Sequence, residues 1–257
     1  MNAFHVLLLG AIEGFSEFLP ISSTAHLLLA SSALGLEETN FLKSFVIVIQ
    51  FGAILAVVSL YWRTLTTNWE ADKRLLAAFA PTALVGFLFY KLIKDVLLES
   101  SLVMLSALFL GGVILILFEY FYKDKNLEEK EDSLSTIPYG KAFLIGLAQA
   151  IAVIPGVSRA GATIIGGLLL GVGRKTIVEF SFLLAIPTMA AAAGFDLLQN
   201  AASFSLAQFH LLLLGFIASF VFALFGVTFL LNYVKNNSFI GFGIYRILLA
   251  LTFFFLL

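Results

Sequence analysis

Glu13-Gly-Phe-Ser-Glu17-Phe-Leu-Pro20-Ile-Ser22-Ser23-Thr24-Ala-His26 is the stretch on which the reading of this chain turns. It interrupts an apolar N-terminal region with two carboxylates, a row of hydroxyls and an imidazole. Ionisable groups inside a membrane segment are costly, so their presence marks a functional site. Proline ends a helix, because it lacks an amide hydrogen and clashes with the preceding turn, so the helix carrying the acids stops at Pro20. Ser22, Ser23 and Thr24 then serve as N-cap residues of a second, short helix.

A relative of this stretch lies in the second half: Gln149-Ala-Ile-Ala-Val-Ile-Pro155-Gly156-Val-Ser158-Arg159-Ala-Gly161. In both, an apolar run stops at a proline and a serine follows three residues later, at Ser23 and at Ser158. One broken apolar segment in each half points to a single site at the interface of a repeat. A second match supports the pairing: Gln50-Phe-Gly-Ala-Ile-Leu-Ala-Val57 aligns with Glu179-Phe-Ser-Phe-Leu-Leu-Ala-Ile186.

The rest of the chain fixes the class. It is 61% hydrophobic and 12% charged, with a mean hydropathy of +1.04, whereas a soluble domain carries about 25% charged residues. Residues 45–62, 102–118 and 211–231 are long apolar runs without a charge, and about 20 such residues span a bilayer as a helix. A barrel strand would alternate over about ten residues instead. The expected fold is an all-α polytopic membrane protein. Apolar segments fall at 4–18, 24–34, 42–62, 75–93, 102–122, 140–154, 160–172, 177–198, 208–232 and 239–257. Those at 24–34 and 160–172 are too short to span, so each is expected to re-enter on the side it came from, its irregular backbone buried against protein. The halves, about 1–122 and 139–257, flank a hydrophilic loop at 123–138 rich in Lys and acids. Three full spans at 42–62, 75–93 and 102–122 make the repeat inverted.

Lys and Arg set orientation. Arg63, Lys73 and Arg74, with the four lysines of 123–141, fall on one side by the span count. That side is expected to be cytoplasmic, with the mouth of the first re-entrant segment facing outward. No cleaved signal peptide is expected, since the N-terminus lacks Lys and Arg and its apolar run holds Glu13, Glu17 and His26. The absence of cysteine excludes disulfides and thiolate chemistry, and the net charge of −1 gives no case for nucleic acid.

Glu13 and Glu17 share a helix face. Two carboxylates in an apolar setting need a shared proton or a cation. Mg²⁺ suits them, because it takes one or two carboxylates and completes its shell with water and phosphate oxygens. A helix N-terminus after Pro20 offers free N–H groups to a phosphate. His26 can act there as base, acid or phosphate donor; His5 and His210 have no such company. In the second stretch Gly156 permits a tight turn and Ser158 can cap. Arg159 brings a permanent forked cation that grips phosphate with two parallel hydrogen bonds. The set suits phosphoryl transfer, where positioning and charge neutralisation do most of the work, and the apolar surroundings suit a lipid substrate.

At these residues the chain resembles the undecaprenyl-diphosphate phosphatase, or bacitracin-resistance, family. The quoted stretches carry the resemblance, the last extended to Pro187, and it covers essentially the whole chain. It implies hydrolysis of undecaprenyl diphosphate to undecaprenyl phosphate and inorganic phosphate, recycling the carrier for peptidoglycan synthesis and conferring bacitracin resistance. It also implies the bacterial plasma membrane, a divalent cation (Mg²⁺ or Ca²⁺), re-entrant helices in an inverted repeat and a homodimer. Ala25 stands where glycine is expected and Ala160 where serine is frequent.

The leading assignment is a membrane diphosphatase. Glu13 and Glu17 hold or share the metal. Ser22, Thr24, Gly156, Ser158 and Arg159 bind the diphosphate. Ser23 is the nucleophile, helped by Glu17 or His26. A phosphohistidine at His26 and a metal-activated water remain alternatives. A transporter or flippase of polyprenyl-phosphate lipids is the competing class, since broken helices around a midplane site suit transport too. The phosphatidate-phosphatase type is excluded: no Arg-Pro occurs, and no histidine lies between Arg159 and His210.

Overall fold

Apolar helices form the framework of this computed structural model, which describes residues 1–37, 39–92, 96–97, 100–122, 133–200 and 209–255, the side chains of 196–200 excepted. The helices are α1 (Ala3–Ser16), α2 (Ser23–Ala33), α3 (Asn40–Leu60), α4 (Trp62–Thr67), α5 (Trp69–Leu88), α6 (Tyr90–Leu92), α7 (Ser101–Phe121), α8 (Tyr139–Ala150), α9 (Arg159–Leu169), α10 (Arg174–Asn200), α11 (Phe209–Tyr233) and α12 (Ile240–Phe254). Helix α3, α7, α11 and the 174–195 part of α10 are long and apolar enough to cross a membrane. The protein is all-α and polytopic. Its hydrophilic loop lies outside the described residues at 123–132; the remainder is a 3₁₀ turn at Leu134–Thr136 leading into α8.

Local chemistry sets the ends of the long helices. Thr39, Asn68 and Ser100 each cap the following helix by accepting a backbone N–H, from Leu42, Ala71 and Val103, which satisfies donors that the first turn leaves unpaired. The Asn68 cap explains why α5 begins at Trp69, ahead of the apolar run expected at 75: Glu70, Asp72, Lys73 and Arg74 belong to its start. Helix α1 ends at Ser16, two residues short of the expected 18. The ring of Pro20 conflicts with a helical carbonyl at position 16, and Leu19 N–H donates to that carbonyl in a tighter, three-residue bond of 3.2 Å.

On α7, Leu110, Ile114, Leu117 and Phe121 are all exposed. Their spacing of four, three and four places them on one helix face, an apolar stripe suited to lipid. The interior holds fully buried Phe18, Phe180, Phe182 and Phe239, with Phe18 and Phe182 edge to face at 5.6 Å.

The short helices form two hairpins. In the first, Val6 of α1 clusters with Leu27 of α2 and with Leu42 and Phe45 of α3, with Met1 and Leu36 packed against them, so the outer ends of α1 and α2 lie together. In the second, the far end of α9 lies against the C-terminal end of α7: Tyr122 hydroxyl donates to Leu168 carbonyl at 3.0 Å, and Arg174 makes a forked pair with Glu119 at 2.6 and 3.1 Å. Arg74 Nε donates to Ile137 carbonyl at 2.7 Å, which brings the 61–74 connection and the 133–139 segment to one end of the molecule. Helix α1 packs on α11, α8 on α5, α3 on α10 and α11, α5 also on α10, and α7 on α12.

Candidate active site

The site forms where the tips of the two hairpins meet. Glu17 caps α1 with its N–H on Glu13 carbonyl at 2.9 Å, so the two acids keep their one-turn spacing. Ser22 (φ 70°, ψ 90°) and Ser158 (φ 70°, ψ 111°) precede the first residues of α2 and α9. Among the described residues they alone combine a side chain with positive φ. Such backbone costs of order 1–3 kcal/mol and collects at functional sites. Gly156, at φ 93°, takes up the reversal after Pro155 without a side chain to strain.

Glu17 is the centre of the arrangement. Its Oε2 accepts the Ser23 hydroxyl. Its Oε1 accepts from Arg159 at 3.2 Å. Arg159 also donates to Ser181 carbonyl at 2.9 Å and lies 5.9 Å over the Phe18 ring. The first half thus supplies hydroxyl and acid, and the second supplies the cation. Glu13 is fully buried, and both its carboxylate oxygens lack a hydrogen-bond partner; so do Arg159 Nε and Ser181 Oγ. Buried polar atoms are rarely left unpaired, and these three residues gather along one line of contacts around Glu17.

The other expected site residues divide. Ser158 caps α9, its Oγ accepting Gly161 N–H at 3.1 Å. No side chain caps α2: Ser23 is turned to Glu17 instead, and Ser22 and Thr24 make no side-chain hydrogen bond among the described residues. The expectation that these hydroxyls cap α2 therefore fails: Ser22 stands at the cap position without a side-chain bond, and Ser23, already the first helical residue, donates its hydroxyl to Glu17. Gly156 carbonyl accepts from Arg246 at 2.8 Å. His26 lies apart from the Ser23–Glu17 pair. Its Nδ1 meets Ser22 carbonyl and its Nε2 meets Tyr245 hydroxyl, each at 2.7 Å, with the rings stacked at 5.5 Å. A carbonyl only accepts, so Nδ1 carries a proton and a neutral ring takes the Tyr245 hydroxyl at Nε2.

Ser181, Tyr245 and Arg246 are absent from the expected set. Arg246 was within reach of the rule that singles out Arg159, being the one charge in the apolar segment 239–257. Ser181 lies inside the Glu179–Ile186 octet with nothing to set it apart, and Tyr245 is one aromatic among many.

A family model described as Bacitracin resistance protein BacA matches residues 6–252. Proteins named undecaprenyl-diphosphatase are close in sequence along their whole length. That of Aquifex aeolicus is 51% identical, with 98% of each chain covered. That of Persephonella marina is 49% identical over 98% of each. That of Wolinella succinogenes is 45% identical, covering 100% of this chain and 99% of its own. This chain belongs to the BacA bacitracin-resistance family.

Proposed function

We infer that this chain is a membrane diphosphatase that hydrolyses undecaprenyl diphosphate to undecaprenyl phosphate and inorganic phosphate. Family membership and the names of its relatives support the activity. The observation that carries the mechanism is Glu17 held between the Ser23 hydroxyl and the Arg159 guanidinium.

Ser23 Oγ attacks the terminal phosphorus while its proton passes to Glu17, the adjacent base that a serine needs to become nucleophilic. The bond from that phosphorus to the bridging oxygen breaks, and undecaprenyl phosphate leaves. Water then attacks the phosphoserine, Glu17 returns the proton to Oγ, and inorganic phosphate departs. Arg159 binds the phosphoryl oxygens on which charge accumulates. The free N–H groups at the start of α2 face the same tip, where the macrodipole favours an anion. His26 orients the turn through Ser22 carbonyl. A phosphohistidine would first require Tyr245 to leave Nε2.

The residues fit a divalent cation such as Mg²⁺ or Ca²⁺. The two unpartnered, buried oxygens of Glu13 beside Glu17 are a hard-oxygen donor set that needs positive charge. Glu13 and Glu17 would hold the ion, which would offset the charge of the diphosphate when bound.

The site belongs to the outer, periplasmic side of the bacterial plasma membrane. The 61–74 and 133–139 segments, with Arg63, Lys73, Arg74 and Lys141 in or beside them, lie together at one end, and that gathering of Lys and Arg supports a cytoplasmic assignment for it. An inverted repeat is supported by the helix pairs: exchanging the halves turns α1–α11 into α8–α5 and α3–α11 into α10–α5, and leaves α3–α10 and α7–α12 in place.

The test is phosphate release from undecaprenyl diphosphate by purified protein in detergent, with Mg²⁺ or Ca²⁺, followed by acid quench and mass spectrometry of the Ser23 peptide. Release with a transient phosphate on Ser23 is expected. Because detergent leaves no bilayer to cross, absence of release from folded protein would favour a lipid carrier. A fully active Ser23→Ala enzyme would transfer the attack to water or His26.

A further inference from the structure

Arg246 is the largest fully buried side chain of the described protein, with 1% of its surface exposed. No carboxylate pairs with it among the described residues. It donates to five backbone carbonyls instead. Nε reaches Leu108 at 3.2 Å, and one terminal nitrogen reaches Pro20 and Val157, both at 3.2 Å. The other reaches Ala107 at 3.2 Å and Gly156 at 2.8 Å. A guanidinium has five N–H donors, so none is left for a substrate. The carbonyls come from three places: the Pro20 tip, the Pro155 tip and the middle of α7. Those of Pro20, Gly156 and Val157 have no other hydrogen-bond donor among the described residues.

Helix α7 is shaped to receive this group. Ala107 and Leu108 carbonyls already serve their own helix, and a second donor can reach them only if the side chains one turn on stand clear. Those positions are Gly111 and Gly112. A Cβ at Gly111 would collide with the guanidinium, and one at Gly112 with Gly243 carbonyl and the Ile247 side chain of α12.

We propose that Arg246 is a positioning residue that fastens the two hairpin tips to each other and to α7, and so sets the distance between Ser23 on one tip and Arg159 on the other. The inference rests on the diphosphatase reading for its effect on rate, but not for its effect on geometry. The tips are not neighbours in sequence, and each carries a strained serine. A shared clamp on their carbonyls keeps the nucleophile and its phosphate clamp in register. A misplacement near 1 Å at such a site costs about 10²-fold in rate.

The experiment uses Arg246→Met, which keeps the stem without the charge, and Arg246→Lys, whose three donors cannot serve five carbonyls. The chain has no cysteine, so nitroxide labels can be placed cleanly on Cys introduced at Leu28 of α2 and Leu169 of α9, with Leu55 of α3 and Phe225 of α11 as a control pair. All four are exposed. For Arg246→Met, kcat is expected to fall about 10²-fold, with a broadened α2–α9 distance distribution and an unchanged α3–α11 distribution. Arg246→Lys is expected to fall between it and the parent on both readouts. Should Arg246→Met fail to fold, Arg246→Lys decides by the same pair of readouts. Parent-like kcat overturns the proposal, and so does lost activity with an unchanged α2–α9 distribution, which would make Arg246 a source of charge alone. If the parent protein releases no phosphate, the diphosphatase reading fails, while the distance arm still judges the clamp.

Discussion

At the Pro20 tip, Ser22 holds φ 70° and ψ 90°, and no side chain caps the helix that follows. At the Pro155 tip, Ser158 holds φ 70° and ψ 111°, and its own hydroxyl caps the helix by accepting Gly161 N–H. One backbone conformation thus serves two purposes. In the first tip the helix start is left open, and the serine one position later turns to a carboxylate. In the second tip the serine is spent on the backbone, and the residue after it is a cation that crosses to Glu17. The difference teaches that matched turns can present different side chains, a hydroxyl on one tip and a cation on the other, to the same carboxylate, the pair to which the proposed mechanism gives attack and phosphate binding.

The sharpest way to break this comparison is to remove one hydroxyl from each tip. Ser23→Ala is expected to lower kcat roughly 10³-fold or more, since loss of an activated nucleophile leaves only the binding groups to act. Ser158→Ala is expected to keep kcat within about tenfold, because a cap acts on rate only through position. Phosphate release read side by side decides it; comparable losses would show that both serines do chemistry.

Arg159 comes next. Arg159→Ala removes a group aimed at developing charge and is expected to cost about 10²–10³-fold in kcat. Arg159→Lys restores the charge without the fork that now divides between Ser181 carbonyl and Glu17, so it should recover only part of the loss. Full recovery by lysine would reduce the second tip to a point charge. A smaller effect is expected at Glu13. Glu13→Gln keeps the shape of the one residue with two buried, unpartnered carboxylate oxygens and should raise the Mg²⁺ or Ca²⁺ concentration for half-maximal rate by about tenfold or more. An unchanged metal titration would take Glu13 out of the cation's coordination.

The parts legible in the sequence are those that rest on composition and on punctuation by proline. Apolar length gave α3, α7, α10 and α11 within a few residues, and Pro20 and Pro155 marked both tips. Glu13, Glu17, Ser23 and Arg159 could be named because charge and hydroxyl are conspicuous among Phe and Leu. Partnership was not legible. His26 lies three residues from Ser23 in the chain, yet its ring is taken by Tyr245, 219 residues away, and no spacing rule reaches that far. Nor could the pattern tell that none of the first tip's hydroxyls caps its helix. Ser22, Ser23 and Thr24 are equally good N-cap residues by type, and what sets Ser23 apart is Glu17 lying within reach of its hydroxyl. Arg246 shows a different kind of miss: its charge was visible, but its five partners are backbone carbonyls, which carry no side-chain signature.

The smallest predicted effect tests the comparison through stability instead of rate. Ser22 and Ser158 carry the same positive φ, so replacing either with alanine leaves the backbone strain as it was. Only Ser158 loses a cap. Ser158→Ala is therefore expected to cost about 1 kcal/mol, or about 2–4 °C in the unfolding midpoint for a chain of this size, and Ser22→Ala close to nothing. Glycine separates strain from capping. It removes the Cβ from a left-handed position, and as an N-cap it costs only a few tenths of a kcal/mol against serine. Ser22→Gly should then be neutral or stabilising, and Ser158→Gly should lie a few tenths of a kcal/mol below it and above Ser158→Ala. Thermal unfolding in detergent reads all four variants. Equal shifts at the two tips would mean that the hydroxyl of Ser158 contributes no more than that of Ser22, and the division of labour would have to rest on Ser23 and Arg159 alone.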